Sequence, residues 1–228
     1  SYIIPIMKIL SIEGNIGAGK STLLNVLQQK LKHNADVIFM LEPTDLWEDI
    51  KDDDNNTMLQ KFYGDQERYA FSFQVMAFAT RIKKMREKIK ANPHAKVMIC
   101  ERSLDADYHI FAKMLYESKK IEDINYKVYL EFYEIFKDDF PLSGLIYVDA
   151  SPFNCHNRIN MRNRTGESEI PVAYLQQCDD AHRAWLFQNN KKKMLRIQTD
   201  VEFENDSDKQ YYFKLWTDQM VSFTHQFM

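Results

Sequence analysis

The chain's 228 residues, 45% of them hydrophobic and 13% aromatic, hold enough apolar side chain for a sizeable core, and a single domain over 1–228 is expected. A net charge of -3 excludes the basic footprint of a nucleic-acid or anionic-membrane binder, so the expected partner is a small molecule. Three widely spaced cysteines, Cys100, Cys155 and Cys178, argue against a disulfide framework. No apolar run nears the roughly 18 residues of a membrane span and no targeting pattern opens the chain, so a cytoplasmic protein is expected.

In chain order, a short apolar run at 6–12 reads as a buried strand and enters the stretch "SIEGNIGAGKST" at 11–22. Leu24, Leu27 and Leu31 then recur at helical spacing, which predicts a helix over 21–31. A second apolar run, 37–41, ends in Glu42 and Pro43. The acidic stretch "EDIKDDDNN" at 48–56 is expected as a solvated loop, because no spaced ligand set surrounds its carboxylates. A helical period follows over 58–89, then a strand at 97–100 that ends in Glu101, Arg102 and Ser103. A helical pattern over 124–136 and strands at 145–148 and 194–197 complete the series, with the polar interruption "NRTGESE" at 163–169 between the last two strands. Strand alternating with helix predicts an α/β fold, a doubly wound five-stranded parallel sheet flanked by helices.

From Gly14 to Ser21 the spacing is GxxxxGKS, set between an apolar strand and a helix, the context a phosphate-binding loop requires. Gly14, Gly17 and Gly19 leave room for backbone N–H groups to face phosphate oxygens, and the helix that follows presents its positive end. Lys20 is expected to neutralise the β and γ phosphates, and Ser21 to place its hydroxyl on Mg²⁺. The loop as a whole, with Asn15, Ile16, Ala18 and Thr22, is the expected nucleotide site.

A phosphate loop serves motors, GTPases and small-molecule kinases alike. The chain has neither an NKxD guanine motif nor a DxxG switch, which argues against a GTPase. Glu42 and Glu101 stand at strand ends, where ligands bind in open α/β sheets, and suit one base and one metal-side acid. Arg158 and Arg162 share a helix face, with Arg164 just beyond; three guanidiniums suit a polyphosphate, although a basic helix end alone is the commoner case. Gln74, Ala77 and Arg81 form a helical stripe, which periodicity alone reads as a polar surface. Cys178 and His182, four apart, are expected to be helix packing or surface.

The segments EGNIGAGKST, EP followed by Trp47, QERYAFSFQ, ERSLDADYHIF and RINMRNRTGESEIPVAYL, in this order, resemble the deoxynucleoside kinases over nearly the whole chain. The branch is the one with the deoxycytidine, deoxyguanosine and mitochondrial thymidine kinases and the insect multisubstrate enzyme. This resemblance implies a P-loop kinase fold and transfer of the γ-phosphoryl group of ATP, with Mg²⁺, to the 5′-hydroxyl of a deoxynucleoside in nucleotide salvage. It makes Glu42 the base at that hydroxyl, Glu101 the acid near Mg²⁺, and Arg102 the bridge between the 5′ oxygen and Glu42; Glu101 as proton acceptor stays open. Arg158, Arg162 and Arg164 become a lid over the phosphates, at about 158–169, and Glu167 reaches the 3′-hydroxyl with Tyr63.

By the same resemblance Gln74 reads the base, Phe111 stacks on it, and Phe73, Leu59 and Trp47 line the pocket. Arg81 and Asp107 match the charged pair of members that accept deoxycytidine and deoxypurines, so those substrates are expected ahead of thymidine, with a thymidine-accepting or multisubstrate deoxynucleoside kinase as the alternative. A homodimer through helices within 58–89 and 124–136 is also implied. Two rival readings are a thymidylate-type monophosphate kinase, which usually carries a DR pair where this chain has Glu101 and Arg102, and a non-enzymatic relative, which should have lost Lys20, Ser21, Glu42 and Arg102.

Overall fold

The computed structural model describes residues 7–162 and 170–228. Five parallel strands, β1 (Lys8–Glu13), β2 (Val37–Met40), β3 (Val97–Glu101), β4 (Leu142–Asp149) and β5 (Lys193–Gln198), lie in the order β2-β3-β1-β4-β5. Every residue of β3 is buried, as a strand covered on both faces must be. The expected α/β class and strand count are therefore observed, with each strand within three residues of its predicted bounds.

Alternation along β1 divides the interior. Leu10 and Ile12 join Val97 and Ile99 on the face covered by Leu24, Leu27 and Trp216, whereas Ile9 packs with Met40, Phe78, Met98 and Tyr129 on the other. Ser11 and Glu13 share the face of Ile9, so two polar groups are sent inward beneath the end of the sheet.

Ten α-helices cover the described residues of the sheet: α1 (Lys20–Lys30), α2 (Thr44–Asp49), α3 (Met58–Gly64), α4 (Gln66–Ala91), α5 (Leu104–Ala106), α6 (Lys113–Glu117), α7 (Asp123–Phe136), α8 (Pro152–Arg162), α9 (Val172–Arg183) and α10 (Asp206–His225). A π-helical segment, Asp107–Ala112, joins α5 to α6, and a second, Ala184–Asn189, extends α9. Among the described residues no helix is long and apolar enough to cross a membrane.

Two expectations are corrected. The period over 58–89 does not form one helix: Asp65 ends α3 and its carboxylate accepts the Arg68 N–H at 3.2 Å, capping α4. The acidic stretch at 48–56 is not all loop, since Glu48 and Asp49 close α2, whose Trp47 is buried. Beyond them Asp52 accepts the Asn56 N–H at 2.9 Å and pairs with Lys61.

Candidate active site

β1 delivers the chain to the carboxyl edge of the sheet, between β3 and β4, where the crossovers diverge and a crevice opens. The loop after it is glycine-rich for a steric reason. Gly14 has φ +148 and lies against the Val148 carbonyl; Gly17 has φ +81, and a Cβ there would stand 2.5 Å from the Cys155 carbonyl oxygen. Lys20 opens α1 and is buried, its ammonium donating to the Asn15 carbonyl at 2.8 Å. Burial and then the Arg102 charge pull its pKa down to about 8, against the opposing pull of Glu101 and Glu42.

Ile16, Gly17, Gly19, Lys20, Ser21 and Thr22 open on a cavity of about 790 Å³. Other loop residues face elsewhere. Asn15 turns its side chain to α9, donating to the Leu175 carbonyl at 2.8 Å, and the buried Ala18 offers its carbonyl to Arg158 and Thr199, each at 3.2 Å.

Across the cavity the two expected carboxylates meet. Ser21 donates to Glu101 Oε1 at 2.8 Å, and the Glu42 N–H approaches Glu101 Oε2 at 3.4 Å. Glu42 Oε1 lies 3.1 Å from Arg102 Nε and 3.4 Å from Arg81 Nη2. Burial alone would raise the Glu42 pKa; Arg102, Arg81 and Lys20 outweigh it and hold the carboxyl below its usual range. Arg81, fully buried, also grips Asp107 with both Nε (2.8 Å) and Nη2 (3.1 Å) and donates Nη1 to the Glu101 carbonyl at 2.8 Å. Burial works against that guanidinium's charge, but the Asp107 charge and hydrogen bonds raise its pKa overall, whereas at Asp107 burial outweighs the Arg81 charge and raises the carboxyl's pKa.

Arg102 occupies φ +64, uncommon for a residue with a Cβ, and its backbone N–H donates to Ile12 O at 3.0 Å. That turn aims the side chain back over the sheet, 4.6 Å above the Phe111 ring, toward Glu42. Below it, Glu13 Oε1 accepts from both Ser11 and Ser103, and burial raises the Glu13 pKa to about 7.

The rest of the cavity wall is aromatic. Phe62 and Phe73 stack at 4.5 Å, Trp47 meets Phe73 edge-on at 5.4 Å and is held by its indole N–H to Thr80 at 2.9 Å, and Tyr174 stands edge-on to Tyr63 at 6.2 Å. Into this wall α4 presents Gln74, which is 2% exposed, yet among the described residues no hydrogen bond takes up its side-chain amide.

The chain matches the family model "Deoxynucleoside kinase" over residues 10–222. It belongs to the deoxynucleoside kinase family. It is 35% identical to the probable deoxycytidine kinase of Fowlpox virus (strain NVSL), covering 89% of this chain and 83% of the viral protein. It is 31% identical to the mitochondrial deoxyguanosine kinase of Xenopus laevis (88% and 84% covered) and 32% identical to the deoxycytidine kinase of Homo sapiens (82% and 78% covered).

In this deoxynucleoside kinase, Glu42, Trp47, Leu59, Tyr63, Phe73, Gln74, Glu101, Arg102, Asp107 and Phe111 all line the one cavity, as do Arg158 and Arg162; Arg81 lies behind it, reaching Glu42 and Asp107. Arg158 does more than face it: its guanidinium also bonds the Thr199 carbonyl at 2.6 Å, docking α8 on the loop after β5. Arg164 and Glu167 lie outside the described residues. Sequence reasoning missed Phe62, Tyr174 and Glu13. Tyr174 sits in the quoted "IPVAYL", but nothing in its spacing says that it faces the ring of Tyr63. Cys178 and His182 are helix packing as expected, both wholly buried, with His182 Nδ1 2.6 Å from the Cys178 carbonyl.

Proposed function

We propose that this kinase transfers the γ-phosphoryl group of ATP to the 5′-hydroxyl of deoxycytidine or a purine deoxynucleoside. The observation that carries the reading is the chain of charges from Ser21 and Glu101 through Glu42 and Arg102 to Arg81 and Asp107, which leads from the phosphate loop into a cavity walled by Gln74 and aromatic rings. Lys20 and the loop N–H groups bind the donor phosphates. Glu42 accepts the 5′-hydroxyl proton while Arg102 holds the acceptor oxygen and the base in line. A carboxylate kept ionised by two arginines is a weak base, and a loose phosphoryl-transfer transition state asks for positioning more than for basicity.

Ser21 and Glu101 would hold Mg²⁺, which supplies charge neutralisation across the β and γ phosphates. Two hard oxygens 2.8 Å apart at the head of α1 fit an ion that keeps its remaining sites for phosphate and water. Among the described residues no group of three or more His, Cys, Asp and Glu forms an all-protein cage.

For the base, the Asp107 carboxylate favours the exocyclic amino group of cytosine or adenine and opposes the O4 carbonyl of thymine. We therefore expect higher kcat/KM for deoxycytidine and deoxyadenosine than for thymidine in a radiolabelled-ATP assay over the four deoxynucleosides and thymidylate. Equal or faster thymidine phosphorylation would sink the role given to Arg81 and Asp107; activity on thymidylate alone would overturn the acceptor. Three buried free thiols support a reducing, cytoplasmic setting. A homodimer is supported by α7, whose Ile124, Val128, Phe132 and Ile135 form an exposed stripe opposite the buried Tyr129 and Tyr133.

A further inference from the structure

Asn15 lies in the middle of the phosphate loop, yet its side chain does not face the cavity. It is 3% exposed, and both polar atoms of its side chain are committed. Oδ1 accepts the Ile16 N–H at 2.9 Å, which shapes the loop locally. Nδ2 crosses to the first turn of α9 and donates to the Leu175 carbonyl at 2.8 Å. Its own carbonyl accepts the Lys20 ammonium at 2.8 Å. One residue thus touches both the lysine that meets the donor phosphates and a helix far away in the chain.

That helix reaches the acceptor. Tyr174, next to the bonded Leu175, lines the cavity and stands edge-on to Phe62 at 6.4 Å and to Tyr63 at 6.2 Å. The other end of α9 is pinned: Arg183 donates to Asp179 at 2.7 Å and to Asp149 of β4 at 3.1 Å, and Asp149 is also held by Arg196 of β5 at 2.8 Å. The helix is thus bonded to β4 through Arg183 at its C-terminal end and to the phosphate loop through Asn15 at its N-terminal end, with Tyr174 at the loop-bonded end.

We propose that Asn15 is a positioning residue that couples donor to acceptor, its side-chain amide tying the phosphate loop to the first turn of α9 and so setting Tyr174 against the deoxynucleoside. The proposal rests on the acceptor assignment made above. Donor binding then tightens the acceptor site, and by linkage the acceptor tightens the donor site by the same factor.

The test is deoxycytidine binding, followed by titration calorimetry with and without saturating non-hydrolysable ATP analogue and Mg²⁺. The variant is Asn15→Ser, which keeps a side-chain oxygen for the Ile16 N–H and loses the reach to α9. In the wild type the analogue is expected to tighten deoxycytidine binding about fivefold or more, and in Asn15→Ser by a factor near one. The same ratio, read from the analogue's affinity with and without deoxycytidine, must agree, which separates lost coupling from lost donor binding. Asn15→Ala, with circular dichroism to confirm folding, is expected to match Asn15→Ser. Equal ratios in wild type and variants, a ratio of one throughout included, overturn the coupling. A wild type that binds none of the four deoxynucleosides refutes the acceptor assignment itself, and that result is read before any variant is made.

Discussion

Lys20 and Glu42 illustrate how single residues acquire their chemistry from neighbours that the local sequence does not show. Lys20 is buried and Glu42 partly so, and burial penalises either charge; Glu42 is rescued by Arg102 and Arg81, while Lys20 is pushed further down by Arg102. The consequence for Lys20 is a free enzyme that loses the ammonium proton near pH 8. We expect kcat/KM for ATP to fall as pH rises through about 8, whereas kcat falls only at higher pH, because bound phosphates favour the charged amine. Steady-state kinetics between pH 6 and about 10, roughly the unperturbed lysine range, checks this. A flat kcat/KM profile across pH 8 would show that the ammonium is not needed for donor binding. For Glu42 the loss comes at the other end of the pH scale: a depressed native pKa adds stability above the ordinary carboxylate value, lost as pH falls through the lower native one.

The helical elements show what periodicity can and cannot report. The stripe of Gln74, Ala77 and Arg81 is visible as spacing, and spacing alone reads it as a surface; burial of Gln74 and Arg81 reverses that reading. The apolar period runs across 58–89 because α3 and α4 bury residues on one common wall, including Leu59, Phe62 and Phe73, so the break at Asp65 leaves no gap in the pattern. Asp65 both stops α3 and caps α4, the helix that carries Gln74. Asp65→Ala is expected to cost about 1 kcal/mol and lower Tm by about 2–4 °C, measured by thermal denaturation. An unchanged Tm would mean that packing of α3 on α4, and not the cap, defines this corner.

At the scale of the whole molecule the exposed α7 stripe is a surface feature that the packing of the described residues leaves unexplained. Ile124 and Ile135 are each 63% exposed, and Val128 and Phe132 lie between them on one line. Ile124→Glu with Ile135→Glu is expected to convert a dimer into a monomer in sedimentation equilibrium, since buried unpaired carboxylates oppose association. A wild-type protein that sediments as a monomer would remove the proposed homodimer. The stripe was legible in the chain only as an amphipathic helix; that its apolar residues lie outside, while Tyr129 packs on Phe78 of α4 and Tyr133 on Tyr108, is a property of the packing.

The amino-acid sequence by itself determined the phosphate loop, the strand-end carboxylates Glu42 and Glu101, and the doubly wound sheet, because each is written in local spacing: glycines where a Cβ cannot fit, acids where a buried strand ends, and apolar runs too short for helices. Tertiary structure alone decided that Arg81 joins Glu42 and the Glu101 carbonyl, that Tyr174 lines the cavity beside Tyr63, and that Asn15 reaches α9. Those contacts join segments from 20 to 160 residues apart, and no period or motif encodes them. Their directional chemistry, a buried guanidinium or amide that must find its partners, is satisfied only when the sheet order brings the strand ends together.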